Sequence, residues 1–335
     1  MSAPLTGQAV TARAGVNIAL VKYWGKAPAR GPEDLNLPAV PSLSLTLDGL
    51  TTETTVRFAP ELPNDRIVLD GRELDPAALG RARPVLDRVR ALGDLASPFD
   101  VVSTNHVPTG AGLASSASGM AALAAATARL AGLELSPGQL SAVARLGSGS
   151  ASRSIFGGFA AWEGPEARAV APPSHWDVRL VVAVVDAGPK DTSSRDAMGR
   201  TARTSPYHAG WVSQARGLFD EGLAAVLARD LPALAEVMEL STLRMHAAAM
   251  AARPPVLYWR SASLAALEAL RALGVQGLVS GWTMDAGPNV KALVHAADAE
   301  RVRGALAEVA GVQRVLVCAP GPGVSTEVVA RDAAW

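Results

Sequence analysis

Four short segments of this chain carry polar residues that their apolar surroundings do not explain. The first is Lys22-Tyr-Trp-Gly-Lys26, at the end of an apolar run. The second is residues 108–119, Pro-Thr-Gly-Ala-Gly-Leu-Ala-Ser-Ser-Ala-Ser-Gly, and the third is residues 147–154, Gly-Ser-Gly-Ser-Ala-Ser-Arg-Ser, which holds Ser148, Ser150 and Arg153. The fourth is Asp285-Ala-Gly-Pro-Asn289. Together they supply ammonium groups, a guanidinium, free backbone amides and one carboxylate. Phosphoryl transfer needs such a set, because it depends on positioning and charge neutralisation, with a carboxylate to take or orient a hydroxyl proton. Each feature also has a plain structural reading. A lysine at a strand end can run its stem along apolar surface to water. An Asp before Ala-Gly-Pro is a good turn residue, and a Gly/Ser run can be a linker.

The 108–119 loop lies between an apolar run at residues 99–102, read as a strand, and an Ala/Leu-rich run at 120–130, read as a helix. Strand, glycine loop and helix start make a site for phosphate: glycines admit close backbone approach, and the first helical N–H groups point at the anion. Ser115, Ser116 and Ser118 add hydroxyls and a candidate N-cap. The loop is not a Walker A, since no Gly-Lys-Ser/Thr ends it. It nearly matches a dinucleotide fingerprint, with Gly110, Gly112 and Ser115 in the third glycine position. No acidic residue ends a strand some 20 residues later, and Glu134 follows a helix instead.

The flanking elements must hold these segments together. Residues 16–23 alternate, with Val16, Ile18, Leu20 and Lys22 on one face and Asn17, Ala19, Val21 and Tyr23 on the other. Buried in such a strand, Asn17 and Lys22 would need partners. Residues 42–48 alternate again, predicting Leu43, Leu45 and Leu47 inward and Ser42, Ser44 and Thr46 outward; 52–58 repeat the pattern. Asp70-Gly71 after Ile67-Val-Leu marks a hairpin turn. Residues 76–92 and 137–146 read as helices, 159–162 as a strand, and 180–185 as the clearest buried strand. The polar stretch 188–196 reads as a loop at a domain boundary, dividing the chain into 1–186 and 187–335. Beyond it, helical stripes (Leu234, Val237, Met238, Met245; then Leu264, Leu267, Leu270, Leu273) precede strands at 278–284 and 290–294, a helix at 298–309 and a strand at 314–317. That order, one strand, three helices, two strands, a helix and a strand, predicts an α+β second domain.

Composition bounds the function. The 335 residues suit about two domains. With 49% hydrophobic and 19% charged residues the chain has ample core material. Thirty-one basic residues balance 31 acidic ones, so a nucleic-acid or anionic-membrane protein is not expected, although a local basic pocket is compatible. The one cysteine, Cys318, sits in an apolar run and reads as a buried, inert thiol suited to a reducing compartment. No basic-then-apolar leader pattern opens the chain, and no apolar run approaches the roughly 18 residues of a membrane span; a soluble, cytoplasmic protein is expected. The five histidines (106, 175, 208, 246, 295) lack metal-ligand spacing and read as structural or surface residues, and Trp24 reads as packing.

The 108–119 loop resembles the phosphate loop of the GHMP kinase superfamily. More narrowly, Asn17-Ile-Ala-Leu-Val-Lys-Tyr-Trp-Gly-Lys26, Ser42-Leu-Ser-Leu-Thr-Leu47, the 147–154 loop, Asp191-Thr-Ser-Ser-Arg-Asp-Ala-Met198, Thr204-Ser-Pro206 and Asp285-Ala-Gly-Pro-Asn289 resemble the diphosphomevalonate decarboxylases in order and spacing, over residues 12–320. The resemblance implies an α+β, GHMP-kinase-type two-domain fold. Its N-terminal α/β domain would carry a left-handed βαβ-type nucleotide site, its C-terminal domain would be ferredoxin-like, and the active site would lie in the cleft between them. It implies ATP-dependent conversion of mevalonate diphosphate to isopentenyl diphosphate, with phosphorylation of the tertiary hydroxyl and then loss of phosphate and CO2. It assigns Asp285 as base or orienter for that hydroxyl, Lys22 as its charge-balancing neighbour and Arg153 as the holder of the substrate carboxylate. Tyr23, Ser148, Ser150, Ser194, Arg195 and Met198 would line the substrate site, with Lys26 a further phosphate contact. Asn105, Gly110, Gly112, Leu113, Ala114, Ser115 and Ser116 would hold ATP, Ser116 also reaching Mg2+. A homodimer is implied as well. Two positions depart from the family pattern: Ala27-Pro-Ala-Arg30 stands where polar Arg/Asn/Asp-type residues are usual, and Met284 stands where Phe is usual.

Two competing readings keep the fold. One changes the substrate or outcome: a 5-monophosphate-specific decarboxylase, or a mevalonate-type 3-kinase that stops after phosphorylation. Kinase-only relatives are expected to lack part of the Asp/Lys/Arg set, and all three residues are present here. The other is an inactive ligand-binding module, which predicts loss of Asp285 or of the loop glycines; neither is lost.

Overall fold

The computed structural model describes residues 2–75, 79–106, 115–185, 192–278, 280–332 and 334. Its first sheet has eight strands. Six run in the order β12 (Ser325–Ala330), β1 (Gln8–Val21), β2 (Ser42–Phe58), β5 (Phe99–His106), β3 (Arg66–Leu69) and β4 (Arg72–Glu73). β6 (Phe159–Trp162) pairs with the first residues of β2, and β7 (Ala167–Ala171) pairs with β6. The β3–β4 turn has positive φ at both Asp70 and Gly71, 49° and 77°, the geometry an Asp-Gly hairpin favours. Helices α1 (Arg83–Gly93), α2 (Ser115–Leu130) and α3 (Pro137–Gly147) cover one face. α3 starts as its sequence dictates: Ser136 and Gln139 form a reciprocal capping box, and Pro137 occupies the first turn.

The two alternating segments at 42–48 and 52–58 are one 17-residue strand, carried through its middle by Gly49 at φ 73°. Its hydroxyl face is not outward. Ser42, Ser44 and Thr46 are as buried as Leu43, Leu45 and Leu47. The leucines pack toward the second domain, while a 3-10 turn (Gly149–Ile155) and the residue after it cover the other face. There Arg153 donates to Ser42 Oγ (2.6 Å) and Thr46 Oγ1 donates to the Phe156 carbonyl (2.7 Å). The Ser42 and Thr46 hydroxyls are thereby bonded, whereas Ser44 Oγ is buried with no hydrogen-bond partner among the described residues.

The second sheet has four antiparallel strands in the order β11 (Arg314–Cys318), β8 (Val178–Val184), β10 (Val290–His295) and β9 (Ser280–Met284). Four helices separate β8 from β9, one more than the sequence pattern predicts: α4 (Ser194–Thr204), α5 (His208–Ala228), α6 (Leu231–Met250) and α7 (Ser261–Val275); α8 (Ala299–Ala307) precedes β11. α4 begins inside the stretch read as a loop, where the Ser193 hydroxyl accepts from the Asp196 amide. Short polar residues that cap a helix look like loop in sequence. Sheet membership does not follow chain order. β8 pairs within the second sheet, and β12, unread in the sequence, returns to pair with β1 in the first. The two sheets share one apolar core, in which Ile18, Leu20, Leu43, Leu45 and Leu47 meet Leu180, Val182, Leu218, Phe219 and Val237. That continuity fixes the walls of the cleft between them. No helix among the described residues is long and apolar enough to cross a membrane.

Candidate active site

The cleft floor is a charged knot. Lys22 follows the last residue of β1, and its side chain is about 2% exposed. It does not reach out to water. Its Nζ donates to Asp285 Oδ1 (2.6 Å) and to the Ala19 carbonyl (3.0 Å), and its backbone N–H donates to Ser241 Oγ on α6 (2.9 Å). Asp285 sits just past β9, in the loop Asp285–Asn289, and its side chain keeps about a third of its surface toward the cleft. A second lysine, Lys291 on β10, reaches the other carboxylate oxygen, Oδ2, at 3.0 Å. Burial pushes the Asp285 carboxyl up, but the ammonium groups of Lys22 and Lys291 outweigh it and hold the group well below the usual carboxylate range. Burial lowers Lys22 to about 8 even though Asp285 opposes the shift.

Arg153, on the 3-10 turn, is fully buried. Its Nη1 donates to Ser42 Oγ and its Nε to Asn17 Oδ1 (3.3 Å), and the guanidinium stacks 5.7 Å from the Trp162 ring. Asn17 turns its amide to the Ser150 carbonyl (2.9 Å) and Ser154 Oγ (2.7 Å), so the unexplained asparagine of β1 is what ties that turn to the strand. Burial lowers Arg153 to about 10. Tyr23 packs on Trp162 at 4.8 Å between centroids, and burial raises its phenol pKa well above the ordinary value. Its hydroxyl is buried without a hydrogen-bond partner among the described residues, and it lines the cleft. Gly149 is required beside it: a Cβ there would come within 2.7 Å of the Tyr23 hydroxyl.

The rim is different in kind. Lys26 donates to Asn36 Oδ1 (2.6 Å), and burial followed by the nearby Arg195 lowers it to about 8. Arg195 makes one long bond, 3.5 Å, to the Gly147 carbonyl. Arg81, which sequence reasoning missed, also lines the cleft; it is exposed and makes no hydrogen bond or ion pair with another described residue. Ser148, Ser150, Ser194 and Met198 line the same cavity. So does Ser116, in the first turn of α2, which places a hydroxyl beside free helix N–H groups.

The structure does not bring every nominated residue to the cleft. Asn105 does not line the cleft: its backbone and side-chain N–H groups donate to Asp70, and its Oδ1 accepts from Thr52. Gly110, Gly112, Leu113 and Ala114 lie outside the described residues, as does the Ser115 side chain. Lys291 was legible in principle, since it is a lone lysine in an apolar strand, the same signal that marked Lys22. His246 on α6 is buried near the floor, its Nε2 3.3 Å from the Met284 carbonyl and its Nδ1 unpartnered. Burial and then Lys22 hold it at about 4, so it is neutral. Trp24, Met284 and Cys318 are buried in cores, and burial pushes the Cys318 thiol up to about 11.

Among the described residues no three His, Cys, Asp or Glu side chains form a cage for a metal. The donors at the α2 end, a hydroxyl and helix amides, suit a magnesium ion that arrives on nucleotide phosphates and keeps most of its oxygen ligands from them and from water.

Comparison with known proteins agrees with this geometry. The model of the diphosphomevalonate decarboxylase-like N-terminal domain matches residues 14–170, and that of the mevalonate 5-diphosphate decarboxylase C-terminal domain matches residues 180–319. A diphosphomevalonate decarboxylase of Candida albicans is 35% identical over 92% of this chain and 95% of its own. A protein designated MDDEF, solved in complex with MVAPP, AMPPCP and magnesium, superposes with a TM-score of 0.88 at 40% identity, over 96% of this chain and 99% of that one. The mevalonate diphosphate decarboxylase of Staphylococcus aureus superposes with a TM-score of 0.89 at 35% identity, over 96% and 98%. With both halves matched and more than nine-tenths of the length shared, this chain belongs to the diphosphomevalonate decarboxylase family.

Proposed function

We propose that this protein converts (R)-5-diphosphomevalonate to isopentenyl diphosphate, with ATP spent to ADP and phosphate and with CO2 released. The observation that carries the reading is the floor: one carboxylate, Asp285, between two lysines, with a buried guanidinium, Arg153, facing the same cleft. A tertiary hydroxyl is a poor leaving group until it is phosphorylated. Asp285 accepts the hydroxyl hydrogen bond and aims the oxygen at the γ-phosphate. Its depressed pKa keeps it ionised before transfer, so it orients the hydroxyl; as the O–P bond forms it takes the hydroxyl proton, which it returns to the phosphate that departs. Once phosphate departs, positive charge develops at the carbon and draws the electron pair from the neighbouring carboxylate, which leaves as CO2. Arg153 holds that carboxylate through guanidinium donors its own partners leave free.

Lys26, Arg195 and Arg81, with the Tyr23, Ser148 and Ser150 hydroxyls, take the diphosphate. Three cations for one terminal group favour the diphosphate over a monophosphate. ATP binds at the α2 N-terminus and along the preceding glycine loop, where Ser116 and the phosphates hold magnesium; the ion supplies charge neutralisation during transfer. The division into two domains of residues 1–186 and 187–335 and a cytoplasmic location belong to the same reading and rest on the sequence pattern and composition; a homodimer rests on the family resemblance.

Purified protein supplied with ATP, magnesium and either mevalonate 5-diphosphate or 5-monophosphate tests this. CO2 is expected from both substrates, with the higher kcat/KM for the diphosphate. CO2 from neither would overturn the decarboxylase reading, and a preference for the monophosphate would overturn the substrate assignment.

A further inference from the structure

Lys291 is absent from every role described so far, yet it is built into the site. It is the second residue of β10, it is 3% exposed, and it stands among Val290, Ala292 and Leu293, which are all fully buried. A lysine in such a place is costly unless its charge is used. Its Nζ meets Asp285 Oδ2 at 3.0 Å and the Asn289 carbonyl at 3.3 Å. One ammonium therefore bridges both ends of the Asp285–Asn289 loop. The loop's far end is fixed in turn, because Asn289 Oδ1 accepts from the Val185 amide at the end of β8 (2.8 Å). Lys22 holds Oδ1 from the first domain, and Lys291 holds Oδ2 from the second.

We propose that Lys291 is a positioning residue for the reaction. By gripping Oδ2 from behind, it fixes the plane of the Asp285 carboxylate so that its remaining lone pairs face the substrate hydroxyl. A carboxylate held by Lys22 alone could pivot about its Cβ–Cγ bond. With both oxygens engaged, the rotation is closed. The inference rests on the decarboxylase reading above, and it adds a residue that touches neither substrate nor nucleotide.

The test is steady-state kinetics of the full-length protein with ATP, magnesium and mevalonate 5-diphosphate, comparing wild type with Lys291→Met and Lys291→Arg. Lys291→Met keeps the stem and removes the charge. It is expected to lower kcat on the order of tenfold to a hundredfold, the size of effect that misplacing a reacting group produces. KM for both substrates should stay within about threefold of wild type, since Lys26, Arg195 and Arg81 are untouched. Lys291→Arg is expected to regain most of kcat. The groups facing Asp285 are Lys22 after β1, Arg153 on the 3-10 turn, His246 on α6 and Lys291 itself. Lys22 and Lys291 depress the carboxyl, so losing Lys291 raises its pKa. The acidic limb of the kcat profile should therefore move to higher pH in Lys291→Met and back again in Lys291→Arg. An unchanged kcat in Lys291→Met would overturn the proposal. So would a kcat loss with no movement of the acidic limb, because general loosening of the fold lowers the rate without touching that limb. Should Lys291→Met not fold, a Lys291→Arg enzyme with wild-type thermal melting but no recovered turnover would overturn it equally. A wild-type protein that releases no CO2 would instead count against the decarboxylase reading.

Discussion

The floor and the rim of the cleft are made of the same residue types but are built differently. On the floor, Lys22, Lys291, Arg153 and Asn17 are buried and have protein partners within hydrogen-bonding distance. On the rim, Lys26 is held by Asn36, but Arg195 has one weak partner and Arg81 has none among the described residues. A group whose position is over-determined by the fold is ready before substrate arrives; a free cation is ordered by the ligand it binds. The floor therefore controls the chemical step and the rim controls affinity for the diphosphate.

Asp285→Asn should break the floor most severely. The amide cannot accept as a carboxylate does and leaves Lys22 and Lys291 without a counter-charge. A fall in kcat of about a thousandfold is expected, in the middle of the range that a positioned acid–base group contributes. Equilibrium binding of the diphosphate, measured by titration calorimetry, should be largely kept; lost binding would move Asp285 to the rim's category. Arg153→Met should come next, with kcat/KM lower by about a hundredfold, since the substrate carboxylate loses its charged partner and Ser42 and Asn17 lose their donor. Near-normal kcat/KM would show that the carboxylate is held elsewhere. Arg81→Ala is a rim change. It should raise KM for the diphosphate about tenfold, as one exposed charged contact is worth about 1.4 kcal/mol, with kcat nearly unchanged. A fall in kcat instead would erase the distinction between the two regions. The smallest effect is on stability. Asp285 has a folded pKa held below its unfolded value, so its contribution is present above the unfolded pKa of about 4 and is lost as pH falls below it. The melting-temperature gap between wild type and Asp285→Asn should therefore be widest near neutrality and shrink below about pH 4. A gap that does not change with pH would mean the carboxylate's charge does not stabilise the fold.

The same contrast governs what the sequence made legible. Asn17, Lys22 and Arg153 stood out because a polar residue inside an apolar stretch needs a partner, and the partners exist. Lys291 carries the same signal in the strand at 290–294, but none of the segments that carry the resemblance includes it. Alternation misled at β2. A strict period of two says which residues share a face, not whether the second face meets water, and here the turn holding Arg153 covers it. β12 was missed because Ser325–Ala330 is a largely exposed edge strand with little apolar signal, and its pairing with β1 joins residues more than 300 positions apart. Asn105 bonds to Asp70 and Thr52 at the end of β5, and the glycine loop that follows it lies outside the described residues.

The central claim is that the floor couples phosphorylation of the tertiary hydroxyl to loss of the carboxylate. Measuring ADP and CO2 in the same reaction with mevalonate 5-diphosphate tests it most directly. One CO2 for every ADP, throughout the time course, is the predicted result. ADP accumulating without CO2 would contradict it and make the protein a kinase on a decarboxylase scaffold.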